Sequence, residues 1–326
     1  MADEINLSFV VPVYNEEESL SALVQEIDAV CHNDGYCYEI VFINDGSTDH
    51  SVDVIKDLMA KYDSVGLIDF RRNFGKAAAL NAGFRHVRGD IVITMDGDLQ
   101  DNPNELPKLL KALESADCVS GWKVKRLDPV DKTLPSRIFN FVVGKVSGIK
   151  LHDFNCGYKA YRKEAVEGLD LYGEMHRFIP VLLHWQGFRV AEVGVDHRAR
   201  QFGRSKYGAT RILKGFFDLM TVVLTTRFKT RPLHIFGTIG LLFGFIGFCM
   251  LAYLTVLWFL GLGPIGNRPL LLFGMLLMLL GGNLIGIGLL GEFIQHAVSP
   301  RERPYVMRAY YPSRKNGEKA NSKADQ

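Results

Sequence analysis

The chain has 326 residues, with 38 Lys and Arg against 36 Asp and Glu and a net charge of +2. This length suits one large domain or two ordinary ones, and the overall charge predicts no nucleic-acid partner. Its five cysteines have no metal-ligand spacing, which argues against a zinc site and favours reduced cytoplasmic thiols. The first residues lack a basic segment followed by an apolar one, so we expect no signal peptide.

Four apolar segments in the first hundred residues predict β-strands with helices between them. The strands are 7–13, 38–44, 65–70 and 91–95. This alternation predicts β-α-β units and a mainly parallel sheet with helices on both faces. Parallel strands bring their carboxyl ends to one edge, and each of these ends leads into a polar turn. We therefore expect the ligand site at that edge.

The fourth strand leads into an acidic motif, Asp96-Gly97-Asp98-Leu99-Gln100-Asp101. Two carboxylates two residues apart at a strand end suit a hard divalent cation. Crowded carboxylates raise one another's pKa unless a cation neutralises them. Asp96 and Asp98 are thus candidate metal ligands. The alternative is a solvated turn that caps a helix beginning near Pro103.

A nucleotide site is predicted at the same edge, although the chain has neither a G-x-G-x-x-G after its first strand nor a P-loop. Asp45, after the second strand, lies where other nucleotide-binding sheets place an acid for a ribose hydroxyl. A turn aspartate before Gly46 is the alternative.

The pattern is less regular beyond residue 121. Residues 136–146 and 175–186 are predicted helices, and 189–195 is a predicted edge strand. Asp153 precedes another predicted strand, among apolar and aromatic residues. Burial there would raise its pKa toward that of a useful base, and a structural loop aspartate is the alternative.

A basic segment follows, with nine Lys or Arg and one acid between residues 197 and 232. Within it, residues 200–208 carry three cations, a hydroxyl and two glycines. This composition predicts a phosphate site, a collar for anionic lipid headgroups, or both. Residues 212–228 have the helical spacing of an interfacial helix.

Two apolar segments predict membrane spans. Residues 235–262 and 270–291 carry no charged side chain, and each can cross a hydrocarbon core of roughly 30 Å as a helix. Basic residues before the first span and after the second predict that both termini are cytoplasmic, with the protein in the inner, plasma membrane. A buried helical hairpin of a soluble protein is the alternative.

Five motifs in order resemble family 2 glycosyltransferases of the polyprenyl-phosphate type, which include dolichyl-phosphate mannose synthase and the bactoprenol-phosphate glucosyltransferases. They are Val11-Pro12-Val13-Tyr14-Asn15-Glu16-Glu17, Asn44-Asp45-Gly46-Ser47-Thr48-Asp49, Arg72-Asn73-Phe74-Gly75-Lys76, the acidic motif, and Arg200-x-x-Gly203-x-Ser205-Lys206. Many relatives have Ala at the position of Gly97, which should be tolerated because only backbone is needed there.

The resemblance implies a GT-A fold, a nucleotide-sugar donor, a divalent cation and inversion at the sugar carbon. It implies Mg²⁺ or Mn²⁺ bound by Asp96, Asp98 and Gln100. The residues implied to bind the donor are Pro12, Tyr14, Glu16, Asp45, Lys76 and Asp96. Those implied to bind phosphates and the acceptor are Lys123, Arg137, Arg200, Ser205 and Lys206. The implied catalytic residues are Asp98 and Asp153. Asp153 would act as a base or position a substrate.

The implied reaction moves a monosaccharide, with UDP-glucose the first candidate donor, to undecaprenyl phosphate at the cytoplasmic face. The predicted organisation is a catalytic domain at 1–208, juxtamembrane helices at 209–232, a membrane hairpin at 233–298, and a cytoplasmic tail at 299–326 whose end is disordered. A flippase, a downstream transferase and a second copy of the chain are predicted partners. An inactive nucleotide-binding scaffold and a processive polysaccharide synthase are the alternatives, although the usual Gln-x-x-Arg-Trp of such synthases is missing.

Overall fold

The computed structural model describes residues 5–123, 140, 142–196, 198, 232–262 and 264–298. The predicted interfacial helix and the tail lie outside these residues, as do residues 136–139 and 141 of the helix predicted at 136–146. Residues 140 and 142–147 are described and are helical.

The described strands form one seven-stranded sheet in the order β3-β2-β1-β4-β6-β5-β7. Strands β1 to β4 are mutually parallel, as predicted, and β7 is the predicted edge strand. β6 runs antiparallel to both β4 and β5. The strands are β1 Leu7–Val13, β2 Tyr38–Asn44, β3 Val65–Asp69, β4 Ile91–Thr94, β5 Cys118–Lys123, β6 Lys159–Arg162 and β7 Val190–Val195.

Helices cover both faces of the sheet, because side chains alternate along each strand. On β1, Phe9 and Val11 join a core with α1, α2 and α4, whereas Val10 joins a second core with α3, α5 and α6. The helices are α1 Leu20–Asp34, α2 Ser51–Lys61, α3 Lys76–His86, α4 Leu106–Leu113, α5 Lys163–Glu167 and α6 Ile179–Trp185, with 3₁₀ turns at Pro103–Glu105 and Met175–Phe178.

Two further helices, α7 Pro232–Phe259 and α8 Pro269–Val298, contain the predicted spans. They are the described helices that are long and apolar enough to cross a membrane. Large apolar side chains such as Phe248 and Trp258 are exposed on them, unlike those of a soluble core helix. The two helices pack closely at glycines. A Cβ on Gly281 would lie 2.6 Å from the Gly240 carbonyl oxygen. By length and composition these helices are candidate membrane spans.

Candidate active site at the carboxyl edge of the sheet

The turns after β1 and β2 are joined by backbone-to-side-chain hydrogen bonds. The Asn15 amide donates to Ser47 Oγ (2.9 Å), and the Thr48 amide donates to Asn15 Oδ1 (2.7 Å). Asn15 has a positive φ of 56°, which Asn tolerates better than most residues. Tyr14 and Glu16 flank it, partly exposed, where the first and second motifs meet.

Asp45 connects the second motif to the third. Its buried carboxylate accepts hydrogen bonds from the Phe74 amide (2.6 Å) and the Gly75 amide (2.9 Å). Burial raises its pKa above the usual value, although both hydrogen bonds oppose the shift. Gly46 is required beside it, since its φ is +72° and a Cβ would lie 2.5 Å from the backbone of Arg72. Asp45 thus holds a loop of the site, and its contact with ribose stays a prediction.

Asp96 forms an ion pair at this edge. Lys76, the first residue of α3, donates to Asp96 Oδ1, and the Asp96 side chain is 40% exposed. Burial alone would raise the Asp96 pKa, but the charges of Lys76 and Lys123 outweigh it, and the pKa is lowered. Asp96 is therefore ionised. Its pairing with Lys76, the last residue of the third motif, joins that motif to the acidic motif.

Asp98 is buried and accepts a hydrogen bond from the Gln100 amide (3.1 Å). Leu99, between them, is buried and has a φ of 62°, a conformation that is strained for a branched side chain.

Asp101 is the third acid of this cluster and, like Asp98, is buried; it was not among the predicted site residues. Its carboxylate accepts the Asp96 amide (3.1 Å). Burial, reinforced by the negative charge of Asp96, raises the pKa of Asp101 to about 7. The motif contained the signal, a third acid five residues after the first, but its position before Pro103 suggested only a helix start.

Arg198 attaches the chain that precedes the basic motif to the acidic motif. Its amide donates to the Gln100 carbonyl oxygen (3.0 Å), and its guanidinium contacts Glu26 (2.7 Å) and Asn102 (2.8 Å). Arg198 stands two positions before Arg200 in the sequence. The predicted phosphate residues Arg137, Arg200, Ser205 and Lys206 lie outside the described residues.

The remaining predicted residues lie in the loop before β6, at the end of β5 and on β1. Asp153 is buried in the loop before β6 and accepts the Asn155 amide (2.9 Å). Lys123 ends β5, and its charge lowers the pKa of Asp96. Pro12 lies near the end of β1, where its carbonyl oxygen faces Gly97.

Two residues without a predicted role lie against Asp96. A Cβ on Gly157 would be 2.8 Å from Asp96 Oδ2, so the carboxylate rests on the Gly157 backbone. His176 interacts with the charges of Lys76 and Asp96, and its Nδ1 is buried without a hydrogen-bond partner in the described part of the chain. Burial and Lys76 keep the His176 pKa well below its usual range, so it is neutral.

Comparison with known proteins identifies the family. Residues 8–169 match glycosyl transferase family 2. Dodecaprenyl-phosphate galacturonate synthase of Rhizobium johnstonii is 37% identical over 89% of this chain and 88% of its own length. The chain belongs to glycosyl transferase family 2. A second relative of this glycosyltransferase, undecaprenyl-phosphate 4-deoxy-4-formamido-L-arabinose transferase of Pseudomonas aeruginosa, is 38% identical over 91% of this chain and 88% of its own. The predicted resemblance to polyprenyl-phosphate transferases is confirmed.

The fold of the transferase matches a solved GT-A structure. Glucosyl-3-phosphoglycerate synthase of Mycobacterium tuberculosis, solved in complex with Mn²⁺ and UDP-glucose, aligns with a TM-score of 0.53. The identity is 19%, over 68% of this chain and 79% of the other. The GT-A prediction is confirmed, with a mainly parallel sheet that has helices on both faces, although the antiparallel strand β6 was not predicted.

The acidic motif of the transferase fits a cation that is shared with a substrate. Within the described ranges, no three His, Cys, Asp or Glu side chains surround one metal position. Asp96 and Asp98 still offer carboxylate oxygens, the ligand type that Mg²⁺ and Mn²⁺ prefer. Mg²⁺ is commonly held by one or two carboxylates together with substrate phosphates. The residues present therefore suit a cation that a nucleotide diphosphate helps to bind.

Proposed function

We propose that this transferase moves a monosaccharide from a nucleotide sugar to the phosphate of a polyprenyl lipid at the cytoplasmic face of the membrane. One observation carries the proposal: an ionised Asp96, paired with Lys76, lies two residues before a buried Asp98 in a chain that also has two candidate membrane helices. The relatives that align over about nine-tenths of the chain are named for sugar transfer to dodecaprenyl and undecaprenyl phosphate.

We assign the donor diphosphate to the acidic motif. Asp98, with Asp96 and Gln100, would hold Mg²⁺ or Mn²⁺, which when bound would neutralise charge that grows on the leaving diphosphate. Support comes from the M. tuberculosis enzyme of the same fold, solved with Mn²⁺ and UDP-glucose. Tyr14, Glu16 and Asp45 would surround the nucleoside, together with Pro12.

The acceptor phosphate is already ionised at neutral pH, so its oxygen can attack the anomeric carbon directly. The bond to the donor diphosphate breaks as the new bond forms on the opposite face, which inverts the configuration. The basic residues stabilise the leaving phosphates, as electrostatic preorganisation requires. They are Lys76, Lys123, Arg137, Arg200 and Lys206, and the Ser205 hydroxyl would add a neutral donor. Asp153 then orients the acceptor or the sugar and is not needed as a strong base.

UDP-glucose is our first candidate donor. The names of the two relatives add donors that carry galacturonate and 4-deoxy-4-formamido-L-arabinose to the set to be tested. With both termini in the cytoplasm, the product would form at the inner leaflet. A flippase and a second transferase would then act on it, and a homo-oligomer is a further expectation.

The test uses the purified full-length protein in detergent with undecaprenyl phosphate, Mn²⁺ or Mg²⁺, and a panel of nucleotide sugars. We expect one donor to yield a nucleoside diphosphate and a lipid-linked monosaccharide in equal amounts. Asp98→Ala should abolish transfer, whereas Asp170→Ala, an exposed acid paired with Arg85, should not. Donor binding without turnover in the wild type would favour the scaffold alternative, and full activity in Asp98→Ala would refute the assignment of the acidic motif.

A further inference from the structure

The edge strand β7 sends a buried carboxylate to the loop that carries Asp153. Glu192 Oε1 accepts the His152 amide (2.8 Å) and the Asp153 amide (3.0 Å), and Oε2 accepts from His152 Nδ1 (2.7 Å). The Glu192 side chain is 9% exposed. Two consecutive backbone N–H groups and one imidazole are thus bound by one side chain.

This contact crosses a strand. Glu192 pairs in register with Ser120 of β5, and the Asp153 loop leads into β6, which lies on the other side of β5. Glu192 therefore ties the loop to the sheet at a place where strand pairing does not hold it. Sequence neighbours of Asp153 could not supply this restraint.

The same residues reach Lys123. The His152 ring stacks on Trp122, with the ring centroids 4.7 Å apart and the planes at 24°. Trp122 and Lys123 are the last residues of β5. Glu192 thus fixes the Asp153 loop directly and, through His152, packs it against the strand that carries Lys123.

Asp153 itself is set by these bonds. Its amide is held by Glu192, and its carboxylate Oδ1 accepts the Asn155 amide (2.9 Å). Backbone position and side-chain direction are both restrained in a buried residue. Loss of the Glu192 carboxylate would leave the amide of the buried Asp153 without its acceptor and would release the amide of the exposed His152, so the loop would shift to regain hydrogen bonds.

We propose that Glu192 is a positioning residue that holds Asp153 for sugar transfer to the lipid phosphate. The proposal rests on the proposed function and assigns Glu192 no contact with either substrate. Small displacements of an orienting group reduce turnover strongly, so a loop shift of about 1 Å is expected to lower kcat by about 100-fold.

The experiment compares Glu192→Ala and Glu192→Gln with a matched buried glutamate, Glu39. Glu39 lies at the start of β2, away from the carboxyl edge, and likewise accepts a backbone amide, that of Arg88 (2.6 Å). Turnover, KM for each substrate and donor affinity by calorimetry are measured in the full chain. Glu192→Ala should lower kcat by about 10- to 100-fold with donor affinity unchanged. Glu192→Gln should recover most of the loss, because one oxygen can still accept both amides. Glu39→Gln should keep wild-type kcat.

A double variant separates positioning from general destabilisation. If Glu192 acts through Asp153, Glu192→Ala adds no further loss of kcat to Asp153→Ala. Multiplicative losses, a parallel fall in donor affinity, or wild-type kcat in Glu192→Ala would overturn the proposal.

Failure of the proposed function has a different signature. In that case the wild type itself transfers no sugar to undecaprenyl phosphate. Hydrogen exchange then decides whether Glu192 holds the loop. Exchange at the amides of residues 152–155 should accelerate in Glu192→Ala and stay close to wild type in Glu192→Gln. Unchanged exchange in Glu192→Ala would refute the restraint.

Discussion

Gly157→Ala should damage the active site while the fold stays intact. The added Cβ would lie 2.8 Å from Asp96 Oδ2, 2.9 Å from Asp96 Cγ and 3.0 Å from Asp96 Oδ1. The φ of Gly157 is not in the left-handed region, so alanine introduces no backbone strain there. The whole effect therefore falls on the Asp96 carboxylate, which Lys76 holds on its other side.

The size of the effect follows from that overlap. Ordinary contact begins near 3.4 Å, so the Asp96 carboxylate must move by roughly 0.6 Å or the backbone must shift. Overpacking of this kind costs about 1–3 kcal/mol, and each 1.4 kcal/mol is about a factor of ten. We expect kcat/KM for the donor to fall by about 10- to 100-fold.

The assay measures transfer to undecaprenyl phosphate over a range of donor concentrations, beside thermal unfolding in detergent. Gly168→Ala is the matched control, because a Cβ there meets no atom within 4 Å and its φ is −92°. Equal kcat/KM in the Gly157 and Gly168 variants would show that the position of the Asp96 carboxylate does not matter, and the reasoning would fail.

Three further variants test stability. Hydrogen bonds from Ser8 and Arg88 outweigh the effect of burial and lower the pKa of Glu39 in the folded protein. The ionised Glu39 therefore stabilises the fold above its unfolded pKa of about 4.3, and this stabilisation is lost as the pH falls through the lower pKa of the folded state. Glu39→Gln should therefore destabilise by about 1–3 kcal/mol at pH 7 and by less at pH 3 in denaturant titrations. Leu99→Gly should unfold at a higher temperature than Leu99→Ala. Both variants lose the buried side chain, but only glycine removes the backbone strain of about 1 kcal/mol at a φ of 62°. Gly281→Leu should separate the membrane helices, because even a Cβ at this position would lie 2.6 Å from the Gly240 carbonyl oxygen. Cross-linking between cysteines placed on α7 and α8 should therefore fall.

Each of these three has an outcome that counts against it. A destabilisation by Glu39→Gln that is constant with pH would contradict the lowered pKa. A more stable Leu99→Ala than Leu99→Gly would mean that the turn stores no strain. Unchanged cross-linking in Gly281→Leu would show that close backbone contact is not what joins the helices.

The first half of the sheet could be predicted from the sequence because its signals are local. Each strand from β1 to β4 is an apolar segment that ends in a polar turn, and the parallel direction of the strands then places Asp45 and Asp96 at one edge. The two apolar helices could also be predicted from the sequence, because such helices are recognised by their length and their lack of charged residues.

The second half depends on contacts that no local pattern specifies. β6 has four residues, and nothing in Lys159–Arg162 indicates that it runs antiparallel between β4 and β5. The neighbours of Glu192 and His176 are distant in sequence, so no local spacing indicated a role for either residue. Two of the carboxylates that were predicted to meet ligands, Asp45 and Asp96, also bind protein groups. A backbone amide reaches Asp45, and Lys76 reaches Asp96, from segments distant in sequence.

The most direct test of the central claim is a structure of the full-length protein with Mn²⁺ and its donor, with manganese located by anomalous scattering. The account predicts a manganese peak within about 2.0–2.3 Å of an Asp98 carboxylate oxygen and in contact with the donor diphosphate. A donor bound elsewhere, or manganese absent from Asp98 while the diphosphate occupies the edge of the sheet, would contradict it.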